Sequence, residues 1–307
     1  MKKIYLLITS FFLVLLLFSC GNNDKFVFKA IAPSGAPTIA QAYLEDNKGD
    51  KNISYSVDRI SNLTLLQEAF TKDLYDVIYA PINLGVKFYN SNKKYRLLAG
   101  LTWGNLYFAS ARENFEISDL NDNDLYFFGK GSVNEFVINE LFKKYNINPK
   151  SVTYLASTAE TTSYLVKDNN AICLIAEPSL SSVKSKLSKM NVTINTIDVQ
   201  SLWKSIYNYD YPQAAIFVKN DLFNNQKAIN YLYSALDASV SFCNSEYTKI
   251  ADISNRLSYG LPEETILASA IPASNIKLVR ASLCKEQVNN LLKIMNIEVL
   301  DEEFFAF

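Results

Sequence analysis

The sequence predicts an α/β protein of two lobes, and three observations predict it. Strand-like and helix-like segments alternate in two separate series along the 307 residues, the pattern of an α/β sheet with parallel strands. A long apolar run, Tyr95 to Ser110, stands between the series and is interrupted at Gly100 and at Trp103-Gly104. A strand that long suits a chain leaving one domain for another, with the glycines permitting the bend. From Asn225 onward the chain reads as mainly helical, as expected of a segment that packs back on one lobe.

The first series starts with a strand over Lys25 to Ala32 and a turn-rich loop, Pro33-Ser34-Gly35-Ala36-Pro37. A helix follows from Pro37 to Leu44, with proline near its first position. Ile53, Tyr55 and Val57 alternate in a second strand, Asn52 to Asp58. Ser61 reads as the N-cap of a helix over Leu63 to Lys72, in which Leu65, Leu66, Ala69 and Phe70 share a face. Asp76 to Ala80 is a buried strand that breaks at Pro81, and a helix from Asn83 to Tyr89 follows.

The second series begins after the charged run Arg112 to Asp124. It reads as strand Leu125 to Phe128, a loop at Gly129-Lys130-Gly131-Ser132 and helix Val133 to Tyr145. Strand Val152 to Leu155, a helix from Ser157-Thr158 to Lys167 and strand Ala171 to Ala176 come next. A helix opening at Glu177-Pro178 runs through Met190, and a strand spans Val192 to Val199. A short aromatic helix, Leu202 to Tyr207, precedes a returning strand, Ala214 to Val218. Helices over Gln226 to Asn244, Tyr247 to Tyr259, Glu263 to Ala270 and Ser282 to Asn296 complete the chain. The expected lobes are therefore residues 26–111 plus 214–307, and residues 112–213 with the hinge segments.

The first twenty residues read as something other than fold. Lys2 and Lys3 precede an almost unbroken apolar run, Tyr5 to Phe18, which closes with Ser19-Cys20-Gly21. Basic, apolar, small is the order of an export signal, and the run is short for a membrane-spanning helix. The cysteine at its end resembles the lipobox of bacterial lipoproteins. That resemblance implies cleavage of residues 1–19, acylation of Cys20 and a tether over residues 20–25. Two or more acyl chains suffice for stable anchoring. The expected location is the outer face of a cell membrane.

Composition excludes several function classes. There is no histidine, which removes Ser-His-Asp and Cys-His catalysis and His-ligated metal sites. No paired carboxylates stand at matched loop ends, so no enzyme activity, cofactor or metal is expected. Basic and acidic residues nearly balance, 30 against 31, and no basic stripe suggests nucleic acid. Beyond Cys20 the cysteines are Cys173, Cys243 and Cys284, without a CxxC pair. Cys173 lies in an apolar run and reads as a buried thiol; pairing of Cys243 with Cys284 in an exported chain stays open.

Two lobes, two crossings and a helical return resemble the substrate-binding lipoproteins of ABC importers. The resemblance is narrower with the binders of sulfonate, nitrate, bicarbonate and thiamine precursors (the NMT1/THI5-like, SsuA-type family). The matching pieces are Ala32 to Pro37, Asp76 to Asn83, Leu98 to Trp103, Leu125 to Ser132, Ala176 to Pro178 and Tyr211-Pro212-Gln213-Ala214. The resemblance implies a type II periplasmic-binding-protein fold with two hinge crossings and the C-terminal helical region packed on lobe 1. It also implies a small solute in the interlobe cleft, closure by hinge bending, a monomer, and an ABC permease with its ATPase as partners. The ligand class it leaves is a small organic or anionic solute, sulfonate-like or a pyrimidine-type heterocycle.

Ligands of open α/β sheets bind beyond the carboxyl ends of the strands. Ser34, Gly35 and Ala36 in the first lobe, and Gly131 and Ser132 in the second, offer amides at helix starts, which favour an anion. Asn83, Ser157 and Thr158 add side-chain donors. Caps are the ordinary use of such residues. Gly129 to Ser132 lacks the Walker spacing. Thr102 and Trp103 lie on the first crossing; the indole serves equally as a stacking wall or as packing. Tyr211, near the second crossing, would line the cleft. Glu177 either accepts from a ligand amine or complements a helix dipole. Arg59, Arg96 and Arg112 are the nearest basic residues and read mostly as solvated. A surface lipoprotein sensor or adhesin using the same body is the alternative, needing an exposed apolar patch in place of an enclosed pocket. A family-related enzyme would need the missing histidines.

Overall fold

The computed structural model describes residues 25–46, 50–60, 64–298 and 301–307. The export signal, Cys20, the tether through Asp24 and the Ser61 cap lie outside the described residues. The chain opens with β1 (Phe26–Pro33), α1 (Ala36–Asp46), β2 (Ile53–Ile60), α2 (Thr64–Lys72), β3 (Val77–Pro81), α3 (Ile82–Asn92) and β4 (Tyr95–Thr102). The pattern follows from burial. Ile53, Tyr55 and Val57 of β2 point inward and the residues between them outward, the period of a half-buried strand. Val77 to Ala80 of β3 are all buried, as in a sheet covered on both faces. Helix α2 buries Leu66, Ala69 and Phe70 along one face.

The second set runs β5 (Leu106–Ser110), β6 (Asp124–Phe128), α4 (Val133–Tyr145), β7 (Ser151–Leu155), α5 (Thr158–Lys167), β8 (Ile172–Ala176), α6 (Ser179–Ser188), β9 (Asn195–Asp198) and α7 (Val199–Tyr207). The chain then returns through β10 (Ala214–Lys219) to α8 (Gln226–Ser245), α9 (Tyr247–Arg256), α10 (Glu264–Ala273), β11 (Ile276–Arg280) and α11 (Ala281–Ile294).

These strands make two mixed sheets, ordered β11-β4-β10-β3-β1-β2 and β7-β6-β8-β5-β9. In the first, β1 is parallel to β2 and β3, while β10 lies antiparallel between β3 and β4. In the second, β6 is parallel to β7 and β8, and β5 is antiparallel to β8 and β9. The C-terminal helices pack on the first sheet's side. Helix α8 lies along α1, and the Leu44 amide donates to Ser239 Oγ of α8 at 3.2 Å.

Four expectations change. Tyr95 to Ser110 is two strands rather than one, because residues 103–105 break it. The second of these, β5, hydrogen-bonds into the second sheet, although the sequence division at residue 111 put it in the first lobe. Gly104 makes the break. Its φ is +82°, and a Cβ there would stand 2.0 Å from Gln200 Oε1 and 2.8 Å from the Tyr211 ring. The segment Ile276–Arg280, left unassigned between two helices of a mainly helical region, is an edge strand beside β4. The strand expected over Val192 to Val199 is confined to Asn195–Asp198, because Asp198 caps α7 by accepting from the Gln200 and Ser201 amides. Cys243 and Cys284 are free and buried, as is Cys173. Burial pushes the Cys173 and Cys243 thiols up to about 12 and Cys284 to about 11, so all three are held as unreactive thiols.

Helix α3 approaches β10 closely at Gly85, where a Cβ would fall 2.0 Å from the Phe217 ring. Gly85→Ala is therefore expected to destabilise the fold by about 1–3 kcal/mol through overpacking. Urea unfolding reads this as a lowered midpoint at unchanged slope.

Candidate ligand-binding site

Strand ends from both sheets meet around one cavity of about 460 Å³. The first sheet contributes the β1–α1 turn (Pro33 to Pro37), Ile60 at the end of β2, Pro81 at the end of β3 and Thr102 at the end of β4. The second contributes Phe128 and Gly129 after β6, Ala156 to Ala159 after β7 and Ala176 to Ser179 after β8. Asn105 and Gln213, from the two segments that cross between the sheets, border it as well. The loop Tyr259 to Pro262, between α9 and α10, forms another wall. The β1, β3, β6, β7 and β8 ends place the cavity beyond the carboxyl ends of parallel strands, where such folds bind ligands.

Of the residues singled out in the sequence, Ser34, Gly35, Ala36, Thr102, Ser132, Ser157, Thr158 and Glu177 border this cavity. Several also perform the ordinary tasks of helix starts. Ser132 Oγ accepts from the Asn134 amide at 3.3 Å, and Ser157 Oγ accepts from the Glu160 amide at 3.3 Å. Thr158 Oγ1 accepts from the Ala176 amide at 3.2 Å, tying the start of α5 to the end of β8.

Asn83, Trp103, Gly131 and Tyr211 do not border it. Asn83 Nδ2 donates to Gly131 O at 3.0 Å, which joins α3 to the loop after β6 across the two sheets. The Trp103 indole lies over Gly100 and donates to Lys277 O at 2.8 Å, so its role is packing and not a cleft wall. Tyr211 is fully buried and packs edge-on against Trp203 at 5.3 Å. Its hydroxyl has no partner among the described residues.

Glu177 is 5% exposed. Its carboxylate accepts from Ser181 N at 3.0 Å and Ser181 Oγ at 2.9 Å, and the Glu177–Pro178 peptide is cis. Burial raises its carboxyl above the ordinary carboxylate value, and the two Ser181 hydrogen bonds pull against that rise.

Sequence reasoning did not select Asn105, Asn134, Gln213 or the Tyr259 to Pro262 loop. Gln213 bonds at both ends: Oε1 accepts from the Asn105 amide at 3.0 Å, and Nε2 donates to Asn134 Oδ1 at 3.2 Å. Its place beside the returning strand was a usable signal. The Tyr259 loop left no local signal, because it reaches the cavity through contacts distant in sequence. The Tyr259 hydroxyl bonds the Glu45 carboxylate. Arg59 bonds Glu45 at 3.1 Å, reaches Leu257 O at 3.1 Å and lies over the Tyr259 ring at 4.4 Å.

Among the described residues no group of three or more His, Cys, Asp or Glu side chains is placed to hold a metal. No described helix is long and apolar enough to cross a membrane.

No protein-family model and no curated protein matches the sequence. Solved structures match the fold. An ABC transporter structure from Parabacteroides distasonis superposes with a TM-score of 0.76 at 18% identity, over 92% of this chain and 99% of that one. The periplasmic aliphatic sulphonate binding protein SsuA from Escherichia coli superposes with a TM-score of 0.64 at 12% identity, over 91% of each chain. The CA3427 gene product of Candida albicans, described as having the generic periplasmic binding protein structural fold, gives 0.59 at 10% identity, over 91% of this chain and 93% of that one. The chain thus has the periplasmic-binding-protein fold, and its structural neighbours include an ABC transporter structure and a sulphonate binding protein.

The position of Tyr211 generates a test. Tyr211→Phe removes a buried hydroxyl without a partner, and such a removal is neutral or stabilising, by up to about 1–3 kcal/mol. Thermal unfolding is expected to show an unchanged or raised melting temperature.

Proposed function

We propose that this chain is the solute-binding lipoprotein of an ABC importer. It captures a small organic or anionic solute, sulfonate-like or heterocyclic, in the cavity between its two lobes and delivers it to a membrane permease with its ATPase. One observation carries this reading: a cavity of about 460 Å³ is walled by strand ends and helix starts of both sheets. A solute there touches both halves at once, and only such a solute favours the closed state over the open one. The volume is that of a small-molecule site. No catalytic step is assigned to it.

In this reading the lobes are those expected from the sequence, with the first boundary moved ahead of β5. Cys20 carries the acyl anchor, the body faces outward from the membrane, and the protein acts as a monomer. A lipid on Cys20 leaves the binding body free to meet a permease in the same membrane.

A thermal-shift screen of the purified protein tests the reading. Sulfonates, nitrate, bicarbonate, pyrimidines, amino acids and larger heterocycles are the compounds to screen. A ligand of the native state at one hundred times its Kd stabilises by about 2.7 kcal/mol, so one chemical class is expected to raise the melting temperature. Ala159→Trp, which fills the cavity from the start of α5, is expected to abolish that shift. The absence of a shift from every class would count against the importer reading.

A further inference from the structure

The residues around the cavity carry a charge pattern that narrows its ligand. Among the described residues no Lys or Arg borders it, and the sequence has no His. Glu177 is the one acidic residue there among the described residues. Arg59 is engaged with Glu45, Arg112 with Asn123 and Asn170, and Arg96 with the Phe223 ring. None of the three borders the cavity. A buried carboxylate is costly unless paired or well hydrogen-bonded. Ser181 gives Glu177 two neutral donors, while an ionised carboxylate can accept about four.

Asn105, on the crossing segment just before β5, adds a second observation. It is 6% exposed and borders the same cavity. Its Nδ2 donates to the backbone oxygen of Glu177 at 3.1 Å. A carbonyl can only accept, so this bond fixes the orientation of the amide and makes Oδ1 the remaining group. A buried acceptor left without a donor costs about 1–3 kcal/mol, and Asn105 Oδ1 has none among the described residues.

We infer that the solute carries an amine or other N–H donor group, seated against Glu177 and Asn105, and that this group decides which solutes are retained. The inference rests on the solute-binding reading above. It does not exclude an acidic group elsewhere on the same molecule, since helix starts at Ser132 and Ser157 face the remaining walls. It disfavours a purely anionic solute, which would set its charge beside the Glu177 carboxylate, on which Lys184 acts only from outside the cavity lining.

Isothermal calorimetry with matched probes tests it: benzylamine against benzyl alcohol, and 3-aminopropanesulfonate against 1-propanesulfonate. The amino member is expected to bind about tenfold or more tightly, a difference of about 1.4 kcal/mol. Glu177→Gln keeps an acceptor for Ser181 and is expected to erase that preference. The comparison within each pair on the unsubstituted protein stands even if this variant folds poorly. Equal binding of the members of a pair, or a preference that survives Glu177→Gln, would overturn the inference while leaving the solute-binding reading intact. If neither pair binds and the wider thermal-shift screen is also silent, both readings fall.

Discussion

The structure depends on the way its two crossing segments bond to each other. Gln213 N donates to Thr102 O at 2.8 Å, and Gln213 Oε1 accepts from Asn105 N at 3.0 Å. Asn105 O in turn accepts from Glu177 N at 3.0 Å. These bonds run from the end of β4, across the break at Gly104, to the end of β8. They hold the place where the chain changes sheets, and both sheets direct strand ends at that place. Remove the register they impose and the strand ends no longer share one cavity. The polar groups satisfied here are backbone groups that neither sheet can pair, which explains why amide side chains stand at both crossings.

A second consequence is that the same few residues join the two sheets and wall the cavity. Asn105 and Gln213 border the cavity while joining its two sides. Asn134, on the second-sheet side, accepts from Gln213 Nε2, and Asn83 reaches Gly131 O from the first-sheet side. Both bonds cross the interface between the sheets. They are side-chain bonds, individually worth about 1 kcal/mol. The aromatic block of Trp203, Tyr207, Tyr209 and Tyr211 lies behind the second crossing and gives it a rigid backing.

Much of the fold was legible because its elements are governed locally. The helix Val133–Tyr145 has its Ser132 cap and a matching apolar face, and the sequence placed it to the residue. The strands of the first series alternate or run apolar as their burial requires. What escaped was decided by distant contacts. Ile276–Arg280 is short and only partly buried, and it becomes a strand because β4 offers an unpaired edge. Leu106–Ser110 joined the wrong half in the sequence because nothing local shows that Gln200 and Tyr211 crowd Gly104. For the site, loop position identified Ser34, Thr102, Ser132, Ser157 and Glu177 as cavity residues. Trp103 and Tyr211 do not border the cavity, and an aromatic beside a crossing has the same sequence signature whether it faces a cavity or the core. Arg59, Glu45 and Tyr259 come together only in three dimensions.

The central claim is that both halves close on one solute, and electron-spin distance measurement tests it most directly. Labels attached to cysteines introduced at Lys87 of α3 and Lys130 after β6, both exposed, would sit on either side of the contact that Asn83 makes with Gly131 between the two halves. The native thiols at Cys173, Cys243 and Cys284 are buried and should stay unlabelled. Adding a solute that raises the melting temperature should draw the two labels into a shorter and narrower distance distribution. A distribution unchanged by a solute that demonstrably binds would contradict the account.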